Sequence, residues 1–225
     1  MKTKDYRLTG WLYLAVIICA GLSQGYIRTG VLIPGDPLAN AASILKHEEL
    51  YRLGLSLDLI AFIIDAIISV LLYQMFKSYN KSLAMASSAL RLIAHPAIGT
   101  LNLLNHYLAL EVLGGSDYLG AFSSEHLASL SALFSQAHHY GYLIAGGFFG
   151  LHCLLLGILI IKSDNLPRIL GLLLMASASG YLTETFGNFN LPGHESFTAL
   201  LVGVTAAVGE LSLSLYLIIR GRLKL

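Results

Sequence analysis

Eight polar residues stand inside long apolar stretches of this chain: Asp58, Asp65, Arg91, His95, Asn102, His152, Glu184 and Glu210. Carboxylates, imidazoles and a guanidinium in such surroundings are the parts of a proton relay, of a small-molecule or ion site, or of a metal site. Each can exchange a proton, carry a charge or offer a lone pair. A charged side chain at bilayer depth costs roughly 2.5–3.5 kcal/mol on insertion scales, so such groups turn inward and pair.

Their heights follow from the basic residues that bound each apolar stretch, at about 1.5 Å per helical residue. Asp65 precedes Lys77 by twelve residues, which is roughly 18 Å. Arg91 follows Lys81 by ten, His152 precedes Lys162 by ten and Glu210 precedes Arg220 by ten, each roughly 15 Å. In a hydrocarbon core of about 30 Å, these four converge near the midplane from four different segments. His95, Glu184 and Asp58 form a second layer, at roughly 21, 24 and 28 Å. Helical spacing puts Asp58 with Asp65 on one stripe, and Arg91 with His95 and Asn102 on another, with Asn105 close by. His138 and Tyr142 lie in line with His152 as rim residues. Ser177, Gly180 and Glu184 share a face, as do Gly203, Ala206, Glu210 and Ser214; their small residues let helices approach closely.

Three functions compete for this layer. In the first, it binds a small molecule, an ion or protons, as in proton-coupled transport. Three carboxylates, Asp58, Asp65 and Glu210, then face the single arginine, Arg91. In the second, it holds a metal or haem for redox or lipid-modifying chemistry, with His95 and His152 as the ligands. No HExxH or related spacing supports that, and Arg91 would repel a divalent cation. In the third, it is an ion-pair cluster that only fixes the fold of a structural or partner-binding subunit. His152 also reads as a hydrogen-bonded core histidine, and His138, His139 and Tyr140 as interface anchors. Nothing identifies a catalytic residue or a cofactor. The P-loop and dinucleotide fingerprints do not occur.

The elements that must position these groups are membrane helices. Of 225 residues, 56% are hydrophobic and 12% charged, against about 25% charged in soluble domains. Mean hydropathy is +0.70. A formal net charge of +1 gives no footprint for nucleic acid. The lipid bilayer is the expected partner, with a small molecule or lipid as ligand if the polar layer binds one. Cys19 and Cys153 lie in apolar runs and read as small hydrophobes.

Six stretches approach the roughly 20 residues a crossing needs: Leu8–Ile27, Tyr51–Phe76, Ala84–Leu110, Tyr140–Ile161, Ile169–Phe186 and Phe197–Ile219. The first, preceded by Lys2, Lys4 and Arg7, is longer than the apolar part of a cleaved signal and reads as a retained span. Ten basic residues, Lys2, Lys4, Arg7, Lys77, Lys81, Lys162, Arg168, Arg220, Arg222 and Lys224, fall at one set of ends. Arg28, Lys46 and Arg52 fall at the other. That bias predicts a single-domain, all-α six-helix bundle with both termini cytoplasmic. Pro96 should kink the third span. On the outer side, Asp36-Pro37 should cap a short amphipathic helix whose apolar face is Leu38, Ala41, Ala42 and Leu45. Ser123 or Ser124 should start a second, with Leu127, Leu130, Leu133 and Phe134 on its apolar face.

The segments LIPGDPLANAASIL, RLGLSLDL, HHYGYLIAGGFFGLHCLLLG, LPRILG and VGELSL resemble a family of bacterial multi-pass membrane proteins catalogued as a domain of unknown function. The likeness runs through nearly the whole chain and is most specific around His152. It implies a bacterial cytoplasmic membrane location and supplies no activity, substrate or catalytic residue.

Overall fold

The computed structural model describes residues 3–115, 117–163 and 166–221, and among these every regular element is helical. Lys2, Arg222 and Lys224, part of the charge bias above, lie outside the described residues. Five helices are long and apolar enough to cross a membrane: Lys4–Val31, Glu48–Phe76, Ser124–Ser163, Arg168–Asn190 and Glu195–Arg220. The expected third span is one unbroken helix over residues 81–111, but it falls short of the same apolar measure. Arg91, His95, Asn102, Asn105 and His106 dilute its lipid-like character, and all but Asn105 are buried.

We number the helices α1 (residues 3–31), α2 (Pro37–Lys46), α3 (Glu48–Phe76), α4 (residues 81–111), α5 (Ser124–Ser163), α6 (Arg168–Asn190) and α7 (Glu195–Arg220). Each long helix packs on the next, in the order α1, α3, α4, α5, α6, α7, and α7 returns against α1. Ser214 Oγ donates to the Gly10 carbonyl across that closing contact at 2.9 Å. Gly221, in the left-handed conformation that ends α7, lies against Arg7. The two described ends of the chain are therefore at the same end of the bundle.

Glycine sets the closest approach. A Cβ on Gly157 would stand 2.7 Å from the Gly171 carbonyl, and one on Gly171 would stand 2.6 Å from the Gly157 carbonyl. Bare backbones of α5 and α6 thus meet without side chains between them, the arrangement small residues permit in lipid.

α1 and α4 each contain a π-helical stretch, Gly21–Arg28 and Ile93–Gly99. In α4 the cause is Pro96, which has no N–H to give and crowds the preceding turn. The stretch in α1 contains no proline. Such widened turns re-aim side chains and concentrate at functional sites; these two carry Ser23, Gln24, Arg28 and His95.

Asp36 caps α2, accepting from the Ala39 amide at 3.0 Å with Pro37 following it. The inward face of α2 differs from the apolar face read in the sequence: Asn40, Ala41 and Ile44 are buried, while Leu38 and Leu45 point outward. Polar anchoring decides this. Asn40 Oδ1 accepts from the Ile33 amide at 2.8 Å, and Ser43 donates to the Val31 carbonyl at 2.7 Å. The expected second outer helix leads directly into the fourth span, as the opening of the 40-residue α5. There Ala128 and Ser131 face inward and Leu133 outward, because Ser131 Oγ reaches the Ala109 carbonyl at 2.6 Å.

The interior is divided lengthwise. Fifteen buried residues, among them Ile68, Leu72, Phe76, Leu156, Ile160, Leu174 and Leu217, fill the end that carries Lys77, Lys81 and Arg168. Only five, Ile27, Val31, Ile44, Tyr51 and Leu110, cap the opposite end. Between them, polar side chains are interleaved with two smaller apolar groups, Ala94, Phe149, Cys153 and Ala178, and Ala61, Phe62 and Leu103.

Candidate functional site

Arg91, fully buried on α4, is the hub. Its Nη2 donates to Asp65 Oδ1 on α3, and its Nη1 donates to Tyr13 Oη on α1 at 2.5 Å. Nη1 also stands 3.1 Å from His152 Nε2 on α5. The guanidinium lies between two rings, 4.5 Å from the Tyr13 centroid and 4.9 Å from that of Phe149. This environment suits arginine in particular, since a planar guanidinium can stack and fork at once.

His152 is held at both ring nitrogens. Nδ1 lies 2.9 Å from the Ser87 carbonyl and 3.0 Å from Ser87 Oγ. A carbonyl can only accept, so the proton sits on Nδ1 and Nε2 accepts from Arg91. His152 therefore has no lone pair left to offer a metal. Among the described residues, no group of three or more His, Cys, Asp or Glu side chains is placed to hold a metal ion.

Asp65 Oδ2 faces His95 Nδ1 at 3.4 Å. The His95 ring is enclosed by Phe62, Tyr142 and Phe149, at centroid distances of 5.5, 5.5 and 4.7 Å. A Cβ at Gly99 would stand 3.0 Å from the Phe62 ring, so glycine there lets the ring lie against α4. Tyr142 accepts from Gln24 on α1.

Of the other expected residues, Asp58 is not an additional partner for Arg91. It pairs with Arg28 from α1, which changes the count of three carboxylates to one arginine into two separate arginine–aspartate pairs. Glu210 is buried, accepts from Tyr181 Oη at 2.8 Å, and among the described residues has no ion pair. Tyr181 packs edge-on to Phe149 at 5.1 Å, so Glu210 stands one ring behind the hub. Glu184 is half-buried on α6, away from the hub. Gly203 faces outward, unlike the rest of its expected stripe. Asn102 donates to the His138 carbonyl at 2.7 Å, and His138 Nδ1 lies 3.0 Å from the Asn102 carbonyl. His138 is thereby locked inside, 6% exposed, and is not a rim anchor.

Two residues with central places escaped the sequence reading. Arg28 ends an apolar run and enters the sequence reading only as an end charge, yet it stands 21 residues after Arg7, roughly 31 Å and close to the height of Asp58. His106 was assigned no role although it lies four residues beyond Asn102, on the stripe of His95 and Asn102. It is 2% exposed, stacks on Tyr51 at 4.0 Å and meets the His138 ring edge-on at 5.0 Å.

Together these groups form a column that runs toward the Arg28 end: His152, Arg91, Asp65, His95, Tyr142, His138, His106. Among the described residues, the buried side-chain atoms without a hydrogen-bond partner are Arg28 Nε, Asp58 Oδ1, Asp65 Oδ2, Arg91 Nε, His95 Nε2, His106 Nε2, Ser135 Oγ and His138 Nε2. Seven of the eight belong to the column or to the Arg28–Asp58 pair beside it, and Ser135 precedes His138 by three residues on α5.

Comparison with known proteins agrees with this architecture at the level of family. An archaeal protein from Archaeoglobus fulgidus, described as an uncharacterized protein, is 28% identical over 160 residues, covering 71% of this chain and 78% of its own length. No solved structure matches the chain. The model of domain of unknown function DUF4386 matches residues 8–221, nearly the entire chain, and the protein belongs to that family.

Proposed function

We propose that the protein is a six-span integral membrane protein, both termini cytoplasmic, whose polar column takes up protons and couples them to the binding or movement of a small molecule or ion. The observation that carries this is the concentration of unpartnered buried polar atoms along one line. An orphaned buried donor or acceptor costs about 1–3 kcal/mol. A cluster that served only to join helices would be expected to satisfy its own groups, as His152 does. Atoms left over along a line are what a path for water and protons requires.

The carboxylates divide accordingly. Asp58 and Asp65 are matched by arginines and hold the column in register. Glu210 has only the Tyr181 hydroxyl, and Glu184 has no ion pair among the described residues. A carboxylate buried without a cation, as Glu210 is, or half-buried without one, as Glu184 is, is costly when ionised, so these two are the groups that gain and lose the proton. The contact of Arg7 with Gly221 supports an even number of crossings, and the basic residues at that end support its cytoplasmic placement.

The test is pH-gradient-driven proton movement in proteoliposomes, read with an internal pH dye. Glu210→Gln should abolish movement while the protein stays folded, and Asp65→Asn should abolish it too. Absence of proton movement from the unaltered protein under every gradient would leave the column as a structural cluster.

A further inference from the structure

We propose that His106 and His138 form a proton-exchange site at the Arg28 end of the column, holding a water or hydronium between their Nε2 atoms. This deepens the proton-coupled reading and rests on it for its purpose, but its occupancy can be tested alone.

Both imidazoles are built into place. His138 is fixed through Nδ1 and its carbonyl by Asn102, itself fixed through Oδ1 by Asn105 at 2.9 Å. His106 is clamped by the Tyr51 ring, and Tyr51 Oη donates to the His106 carbonyl at 2.9 Å. Gly141 gives Asn102 its space, since a Cβ there would overlap the Asn102 side chain. All of this support ends at two buried Nε2 atoms that have no partner, with Ser135 Oγ, also buried and unpartnered, one turn before His138.

The ligand follows from the atoms. His138 Nδ1 faces a carbonyl and must carry the proton, so its Nε2 presents a lone pair. A lone pair buried in apolar surroundings calls for a donor, and a water offers two. When the ligand is hydronium, one proton passes to an Nε2 lone pair, giving an imidazolium and a neutral water; the reverse step returns it. The charged group near the pair is Arg28 of α1, itself matched by Asp58 of α3, and the titratable His139 adjoins His138 on α5. Tyr51 and Tyr142 are the hydroxyl groups nearby, and Lys46 of α2 is exposed. Exchange should run toward the Arg28 end, because the cap there is five residues against fifteen at the other.

The experiment is water-edited NMR of the full chain in nanodiscs, with histidine labelled by nitrogen-15. His106→Gln and His138→Gln would assign the signals. The Nε2 signals of His106 and His138 should show direct water cross-peaks and rapid exchange with deuterated solvent. His152, with both nitrogens engaged, should show neither. Dry Nε2 signals at both residues would overturn the proposal even if the unaltered protein moves protons. Wet signals at both would uphold it, and their combination with no proton movement would overturn only the coupled-transport reading.

Discussion

Removing Arg91 would leave Asp65 as a carboxylate 1% exposed, with His95 as its remaining neighbour. Breaking a buried pair from one side typically costs about 3–5 kcal/mol. Arg91→Met should therefore lose about that much stability in bicelles, measured by steric-trap unfolding. Arg91→Met with Asp65→Asn should lose markedly less than the two singles added, because no bare charge is left behind. Equal additivity would mean the two do not interact. His152→Ala removes a smaller contribution, its contacts to Ser87 and Arg91, and should cost about 1–3 kcal/mol by the same assay. At this scale the sequence was informative where heights could be counted from well-placed lysines. Asp65, Arg91 and His152 were put at one level by counting, and they touch. Arg28 escapes the same count because a positive charge at the end of an apolar run reads as the boundary of a span, not as a partner within it. The split between paired aspartates and unpaired glutamates was not legible, since it depends on which helices are neighbours.

Between elements, glycines decide how near two helices come, and their roles differ by what a methyl group would meet. At Gly141 it would strike Asn102, whose side chain is tied at both ends. Gly141→Ala should cost about 1–3 kcal/mol, as over-packing does. Adding Asn102→Ala should recover part of that loss in the same unfolding measurement. Gly157→Ala meets the Gly171 carbonyl and should be at least as costly, since backbone cannot step aside. Gly203 has nothing within 4 Å. Gly203→Ala should thus be neutral, or stabilising by up to about 1 kcal/mol through helix propensity. Equal costs at all three positions would contradict the packing described. Pro96 announced the widened turn of α4, whereas that of α1 carries no proline and had no comparable signal. The faces of α2 and of the start of α5 were misjudged for one reason. Apolar periodicity assumes that large side chains face inward, and beside lipid a leucine loses nothing by facing out.

For the molecule as a whole, the open question the sequence poses is whether residues 81–111 cross the bilayer, because their polar side chains hide the apolar signal. The bundle constrains the answer. α4 packs between α3 and α5, each long and apolar enough to cross, and α7 closes on α1 so that Arg7 meets Gly221. A helix in that position with its termini at opposite ends would complete an even number of crossings. Single cysteines in a Cys19→Ala, Cys153→Ala background would decide it. Ser78, Ala121 and Leu191 are exposed; Ser78 lies in a connection at one end of the bundle, and Ala121 and Leu191 lie in connections at the other. Ala121→Cys and Leu191→Cys should react with a membrane-impermeant maleimide added to intact cells, and Ser78→Cys only after permeabilisation. Labelling of Ser78→Cys and Ala121→Cys from the same side would show that α4 does not cross. The reverse pattern, with Ser78→Cys alone accessible, would invert the orientation and place the His106–His138 pair toward the cytoplasm. In that case the ten basic residues would face outward, against the charge bias that orients most membrane proteins.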